Sequence, residues 1–157
     1  MIDLPQLLHL ARSAGLTIAC AESCTGGMVA ASLTEVAGAS DVFDRGFVTY
    51  SNQAKIDMLG VLPQTLQEFG AVSEQVAAQM ADGARARAHV GLAVSITGIA
   101  GPGGSAFKPE GRVCFGLAHQ GFATQVQTVE FGALGRDKVR LAARDHALAL
   151  LQAALQA

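Results

Sequence analysis

The chain has 157 residues, half of them apolar, which suffices for one α/β domain with a substantial buried core and no need of metal or disulfide support. The apolar residues are mostly Ala, Leu and Val, with no Trp and one Tyr, a composition suited to helices lying close on a sheet. A formal net charge of −2 gives no electrostatic basis for binding nucleic acid or an anionic membrane.

In chain order, Asp3 to Ala14 carries Leu7, Leu8, Leu10 and Ala11, the pattern of an amphipathic helix closed by Gly15. Residues 16–21 (LTIACA) read as a short buried strand, 22–27 as a tight loop, and Met28 to Val36 as a helix ending at Gly38. Phe43 to Tyr50 has the aromatic and β-branched content of a second strand. Ser51 or Asn52 then caps a helix through Lys55 to Leu59, and Pro63 to Phe69 forms another short one. Ser73 caps a longer helix reaching about His89, with Val76, Ala77, Met80 and Ala84 on one face. Val90 to Thr97 is the third strand. After a glycine-rich loop over 98–111, Arg112 to His119 and Thr124 to Phe131 alternate as a β-hairpin across Gln120-Gly121. The last helix starts near Gly135 and runs almost to the end.

No internal repeat, low-complexity tract or linker interrupts the chain, so residues 1–157 are expected to form a single domain. Strands alternating with helices, followed by a hairpin, predict an α/β fold: a three-layer arrangement with a mixed β-sheet and helices on both faces. Ligands in such sheets sit beyond the carboxyl ends of the strands. Three polar, glycine- or serine-bearing loops follow predicted strand ends, at 22–27, 51–55 and 97–104, and they locate the expected site.

Met1-Ile2-Asp3-Leu4-Pro5 lacks the basic flank and apolar run of a signal peptide, and no apolar stretch is long enough to span a bilayer. Cys20, Cys24 and Cys114 are odd in number and match no zinc spacing. A cytoplasmic setting, with no metal and no cofactor, is therefore expected. The apolar last helix makes a homodimer the expected assembly.

Four segments carry possible chemistry. Glu22-Ser23-Cys24-Thr25-Gly26-Gly27 joins a strand to a helix, a position where a hydroxyl projects from a sharp turn and helix-terminal amides face what it attacks. The same physics builds a phosphate cradle, or a simple cap. Tyr50-Ser51-Asn52-Gln53-Ala54-Lys55 can present Tyr50 and Lys55 to the same cleft. A lysine serves as general base only when neutral, so its reference pKa of about 10.4 must fall by roughly three units; a solvated lysine is the alternative. Thr97-Gly98-Ile99-Ala100-Gly101-Pro102-Gly103-Gly104 offers exposed amides suited to phosphate or ribose, but has neither the Walker A pattern nor the dinucleotide fingerprint. Arg136 and Arg140, four residues apart at the start of the last helix, share a face, and either suits a phosphate. Cys24 is the rival nucleophile, because a thiol near a helix N-terminus has a lowered pKa.

Taken in register, AESCTGG at 21–27, FVTYSNQAK at 47–55, GAVSEQVAAQMA at 70–81, SITGIAGPGG at 95–104 and KPEGRV at 108–113 make the chain resemble the CinA C-terminal domain family over residues 5 to 155. The resemblance implies a nicotinamide-nucleotide amidase of pyridine-nucleotide salvage, hydrolysing nicotinamide mononucleotide to nicotinate mononucleotide and ammonia. It implies Ser23 as nucleophile, Lys55 as base and Tyr50 as an aid to proton transfer. Amides in Thr25-Gly26-Gly27 would meet the oxyanion, Thr97 and Gly98 would line the nucleotide pocket, and Arg140 would meet the phosphate, with Arg136 as its substitute. Many members carry an additional N-terminal domain resembling molybdopterin-binding proteins, so the resemblance implies the stand-alone form here. Glu110 stands where many relatives have an apolar residue. The alternatives are a nucleotide-binding module without chemistry and a competence-associated protein.

Overall fold

The computed structural model describes residues 2–105 and 107–157. Among them the chain forms α1 (Leu4–Ala14), β1 (Ile18–Glu22), α2 (Met28–Thr34), β2 (Phe43–Val48), α3 (Asn52–Leu59), α4 (Pro63–Phe69), α5 (Glu74–Ala88), β3 (Leu92–Gly98), β4 (Arg112–His119), β5 (Gln125–Glu130) and α6 (Arg136–Gln156). The five strands make one mixed sheet in the order β2-β1-β3-β4-β5. β1 runs parallel to β2 and β3, whereas β4 and β5 are antiparallel to their neighbours. The chain leaves β1 for β2 on one side and reaches β3 on the other, so a crevice opens beyond the carboxyl end of β1.

Local chemistry sets the element ends. The Asp3 carboxylate accepts from the Gln6 amide at 3.0 Å and Gly15 closes α1 in the left-handed region. Ser51 Oγ accepts from Ala54 N at 3.0 Å to start α3, and Ser73 Oγ accepts from Val76 N at 3.2 Å to start α5. Several boundaries differ from the sequence pattern; β1 and β3 each begin two residues later, at Ile18 and Leu92. α2 stops at Thr34, and a short 3-10 turn, Ala39–Asp41, leads into β2. β2 ends at Val48 rather than Tyr50: the Thr49 amide still donates to Glu22 O at 2.8 Å, but the carbonyls of Thr49 and Tyr50 turn toward the Lys55 amine.

The two faces of the sheet differ in the size of their side chains. Ile18, Cys20, Leu92, Val94, Ile96, Val113 and Phe115 face α1, α2 and α6 and form the larger core. The opposite face presents Ala19, Ala21 and Ala93 to α3, α4 and α5. Ser95 and Gly116 complete this shallow face. Ser95 Oγ donates to Ala77 O at 2.6 Å, and a Cβ on Gly116 would lie 2.4 Å from that same carbonyl. Small residues therefore let α5 seat almost on the backbone of the sheet. That seating carries the preceding segment, 70–73, to the crevice, where Thr97 Oγ1 donates to Ala71 O at 2.8 Å. No helix among the described residues is long and apolar enough to cross a membrane.

Gly83 marks a second close approach, between α5 and the end of α3. A Cβ there would lie 2.0 Å from Leu59 O, a backbone atom with no freedom to move aside. Helix propensity favours Gly83→Ala by about 1 kcal/mol, but overpacking costs about 1–3 kcal/mol and more when backbone must shift. The clash dominates. Gly83→Ala is expected to lower the melting temperature by about 5 °C, read by circular dichroism; an unchanged or raised midpoint would contradict this packing.

Candidate active site

The carboxyl ends of β1, β2 and β3 open into a cavity of about 410 Å³. Its wall draws on Ser23 and Cys24 after β1, Tyr50, Asn52 and Lys55 after β2, the segment 70–72 before α5, Thr97 to Ser105 from the end of β3 onward, and Lys108 and Arg136. The wall thus holds three cationic side chains and, among the described residues, no Asp or Glu. A cavity of this size accepts a small organic molecule, and its charge selects for one bearing an anion.

Ser23 sits in a turn shaped by the residue before it. Glu22 is fully buried, and its carboxylate accepts from Thr25 Oγ1 at 2.6 Å and from the amides of Val29 and Ala30 at 3.0 Å each. α2 begins at Gly27 without a side-chain cap, so Glu22 supplies the missing acceptor and places a negative charge at the positive end of the helix. Several of the helix-terminal amides are committed to partners within the protein. Those of Val29 and Ala30 serve Glu22, and Gly26 N donates to Ser23 O at 3.0 Å. Thr25 turns its hydroxyl inward to Glu22, and Thr25, Gly26 and Gly27 lie outside the cavity wall. The amide of Cys24, next after Ser23, carries no hydrogen bond among the described residues. Gly26 and Gly27 adopt φ of +57° and +108°, which lets the chain reverse between Ser23 and α2.

Lys55 lies in the first turn of α3 and is 1% exposed. Its Nζ donates to Ser23 Oγ at 3.1 Å, to Thr49 O at 2.8 Å and to Tyr50 O at 3.4 Å. Burial pushes its pKa down from 10.5 to about 8, the cost of desolvating an ammonium. The three acceptors match in number the three N–H bonds of an ammonium. When the amine is neutral, the two carbonyls hold its two N–H bonds and the lone pair faces the Ser23 hydroxyl. The neighbouring thiol shifts the other way. Burial, with a smaller contribution from the Glu22 charge, raises Cys24 from 9.0 to about 11, contrary to the lowering expected near a helix N-terminus. Cys24 stays protonated where Lys55 begins to lose its proton.

The other expected residues divide. Thr97 and Gly98 line the cavity at the end of β3, and a Cβ on Gly98 would lie 2.7 Å from Val113 Cγ2. Tyr50 lines the mouth and is 62% exposed, and its hydroxyl accepts from Arg136 Nη2 at 2.7 Å rather than meeting Ser23 or Lys55. Arg136 also donates from Nη1 to Gly101 O at 2.7 Å. Arg140, one helical turn on, lies outside the wall: Nε donates to Cys24 O at 3.0 Å and Nη2 reaches Thr25 O at 3.5 Å. It braces the turn behind Ser23, while Arg136 is the arginine that lines the cavity. Sequence reasoning named neither Lys108 nor Asn52 as site residues. Lys108 Nζ donates to Phe69 O at 2.8 Å and Val72 O at 2.6 Å, holding the end of α4 against the cavity. No histidine lines the wall; His146 packs on Phe115 with ring centroids 4.5 Å apart.

Comparison with known proteins agrees with this geometry. The family model described as the CinA C-terminal domain matches residues 4–155. The chain belongs to the CinA C-terminal domain family. Among relatives, the nicotinamide-nucleotide amidohydrolase PncC of Enterobacter agglomerans is 49% identical over 146 residues, covering 92% of this chain and 87% of that protein. A CinA-like protein of Kosmotoga olearia is 47% identical over 95% of this chain, which spans only 36% of that relative's length. The crystal structure of the competence/damage inducible protein CihA from Agrobacterium tumefaciens superposes with a TM-score of 0.93 at 48% identity, covering 98% of this chain and 93% of that one. A CinA superfamily protein from Escherichia coli gives 0.90 at 36% identity, covering 96% and 90%.

The Lys55 shift has a stability signature. Between about pH 8 and 10.5 the unfolded chain holds a proton on Lys55 that the folded chain has lost, so the wild type gains stability as pH rises through that window. Below about 8 the full cost of the buried ammonium is present. Lys55→Met has no such dependence. From pH 7 to 10.5 the difference in unfolding free energy between the two proteins is expected to move by about 3 kcal/mol in favour of the wild type. Urea denaturation at both pH values measures it, and a constant difference would refute the shifted amine.

Proposed function

We propose that the chain is an amidohydrolase that removes the carboxamide nitrogen of nicotinamide mononucleotide, yielding nicotinate mononucleotide and ammonia. One observation carries the reading: a buried lysine amine, titrating near 8, lies 3.1 Å from the Ser23 hydroxyl at the back of a cavity whose only charges are positive among the described residues. The 49%-identical relative named nicotinamide-nucleotide amidohydrolase supports both reaction and substrate class.

Neutral Lys55 takes the Ser23 proton as Oγ bonds to the carboxamide carbon. The carbonyl π-electrons move to oxygen, and the unpaired Cys24 amide, first after the nucleophile, meets the oxyanion. Collapse re-forms the C=O bond and breaks the C–N bond. Lys55 returns its proton to the departing nitrogen, which leaves as ammonia. Water then attacks the acyl-enzyme ester, with Lys55 as base, and releases the carboxylate and Ser23. Tyr50 contributes its carbonyl to the Lys55 cradle and its hydroxyl to Arg136, which, with Lys108, faces the substrate phosphate.

An ammonia-release assay over nicotinamide mononucleotide, its riboside and free nicotinamide tests the reading. Activity is expected to be greatest on the mononucleotide. Ser23→Ala should lower kcat by about 10³-fold or more, while Cys24→Ala retains turnover. Nucleotide binding without ammonia release would instead identify a binding module. In the active enzyme, kcat/KM should rise with pH to a plateau above about 8, because the base works only once deprotonated. A rate independent of pH between 6 and 10 would exclude Lys55 as that base.

A further inference from the structure

We propose that Glu110 is a positioning residue for phosphate recognition: its carboxylate locks the glycine-rich loop to the start of α6 and thereby fixes where Arg136 points. This rests on the reading of the cavity as a nucleotide site. Glu110 is half-buried and does not line the cavity. Its Oε1 accepts from Gly103 N at 2.6 Å and its Oε2 from Gly135 N at 3.0 Å. Gly135 directly precedes Arg136 and α6, a helix of 21 residues, so the carboxylate also lies at the positive end of a long helix.

The loop is built around this group. A Cβ on Gly101 would lie 2.5 Å from Glu110 Cδ, so position 101, with φ +93°, has no room for a side chain beside the carboxyl. The circuit closes through Arg136, which donates to Gly101 O and to Tyr50 Oη. Loop, carboxylate, helix start and guanidinium thus form one ring, and every member of that ring except Glu110 and Gly135 faces the cavity.

The chemistry of the ring specifies a carboxylate. Both of its partners are N–H donors, and only a group with two acceptor oxygens serves both. The amide of Gln must turn an NH2 toward one of them. That end of the lock then opens, and Arg136 loses its fixed relation to the loop.

The test measures binding by calorimetry, with Ser23→Ala added to each protein so that the ligand is not turned over, for nicotinamide mononucleotide and for its riboside, which differ by the phosphate alone. Wild type should bind the mononucleotide more tightly. Glu110→Gln should weaken mononucleotide binding about tenfold, the order of one disrupted charge-assisted contact, while riboside binding stays within about twofold. In turnover the loss should fall on KM, with kcat held. In an Arg136→Ala background, Glu110→Gln should add nothing further. If Glu110→Gln does not fold, Glu110→Asp, one methylene shorter, should show the same selectivity at smaller size. Equal weakening of both ligands, no weakening of either, losses that add to those of Arg136→Ala, or a wild type indifferent to the phosphate would each overturn the proposal. Ammonia release decides the amidase reading separately: a protein that binds with these preferences but releases none removes that reading and leaves the role of Glu110 standing.

Discussion

The structure turns on a lysine amine taken out of water and held against a serine hydroxyl by two backbone carbonyls. An ammonium in such a place is costly, and a solvated lysine would avoid the cost altogether. Three features keep Lys55 there. Ser51 starts α3 where Lys55 falls in its first turn. β2 stops early, so the carbonyls of Thr49 and Tyr50 are free to receive the amine. α5 packs close on the sheet and against the end of α3 at Leu59, which fixes the helix that carries Lys55. Each feature alone is ordinary, but together they make the neutral amine the less costly form as pH rises past about 8.

The Ser23 side of the cavity is organised by a different charge. Glu22 is the last residue of β1 and fully buried, yet it forms no salt bridge; its carboxylate is satisfied by a hydroxyl and two helix amides. These bonds tie the end of β1 to the start of α2 and force the intervening turn to bulge with Ser23 toward the crevice. Arg140 braces the same turn from outside through the carbonyls of Cys24 and Thr25. The two charged groups at either side of the loop therefore do architectural work, while Arg136, Lys108 and Lys55 face the ligand space.

Most of the architecture was legible in the chain. Period-two strands, serine caps and glycine stops are local signals, and they delimit α1, α3, α5 and the hairpin closely. Ser23 and Lys55 were legible as candidates because each follows a strand end, and strand ends of a parallel sheet converge. What escaped depends on tertiary contact. The segment 70–72 becomes cavity wall through the Thr97 hydroxyl and the seating of α5, neither of which leaves a periodic trace. Lys108 arrives by a loop that folds back on itself. Arg136 and Arg140 share a helix face and differ by one turn, about 5.4 Å along the axis, so pattern alone leaves open which one meets the ligand. Glu22 reads as the start of a polar loop, although the chain ahead of it holds the donors that let it be buried.

The burial of Cys24 has a chemical consequence of its own. A thiol that titrates near 11 is present as thiolate in about one molecule in ten thousand at neutral pH, and it is the thiolate that peroxide and electrophiles attack. Burial, with a smaller contribution from the carboxylate that shapes the turn, thus keeps the sulfur beside Ser23 chemically quiet. An oxidant that attacks exposed thiolates therefore has little purchase on the sulfur in this cavity wall.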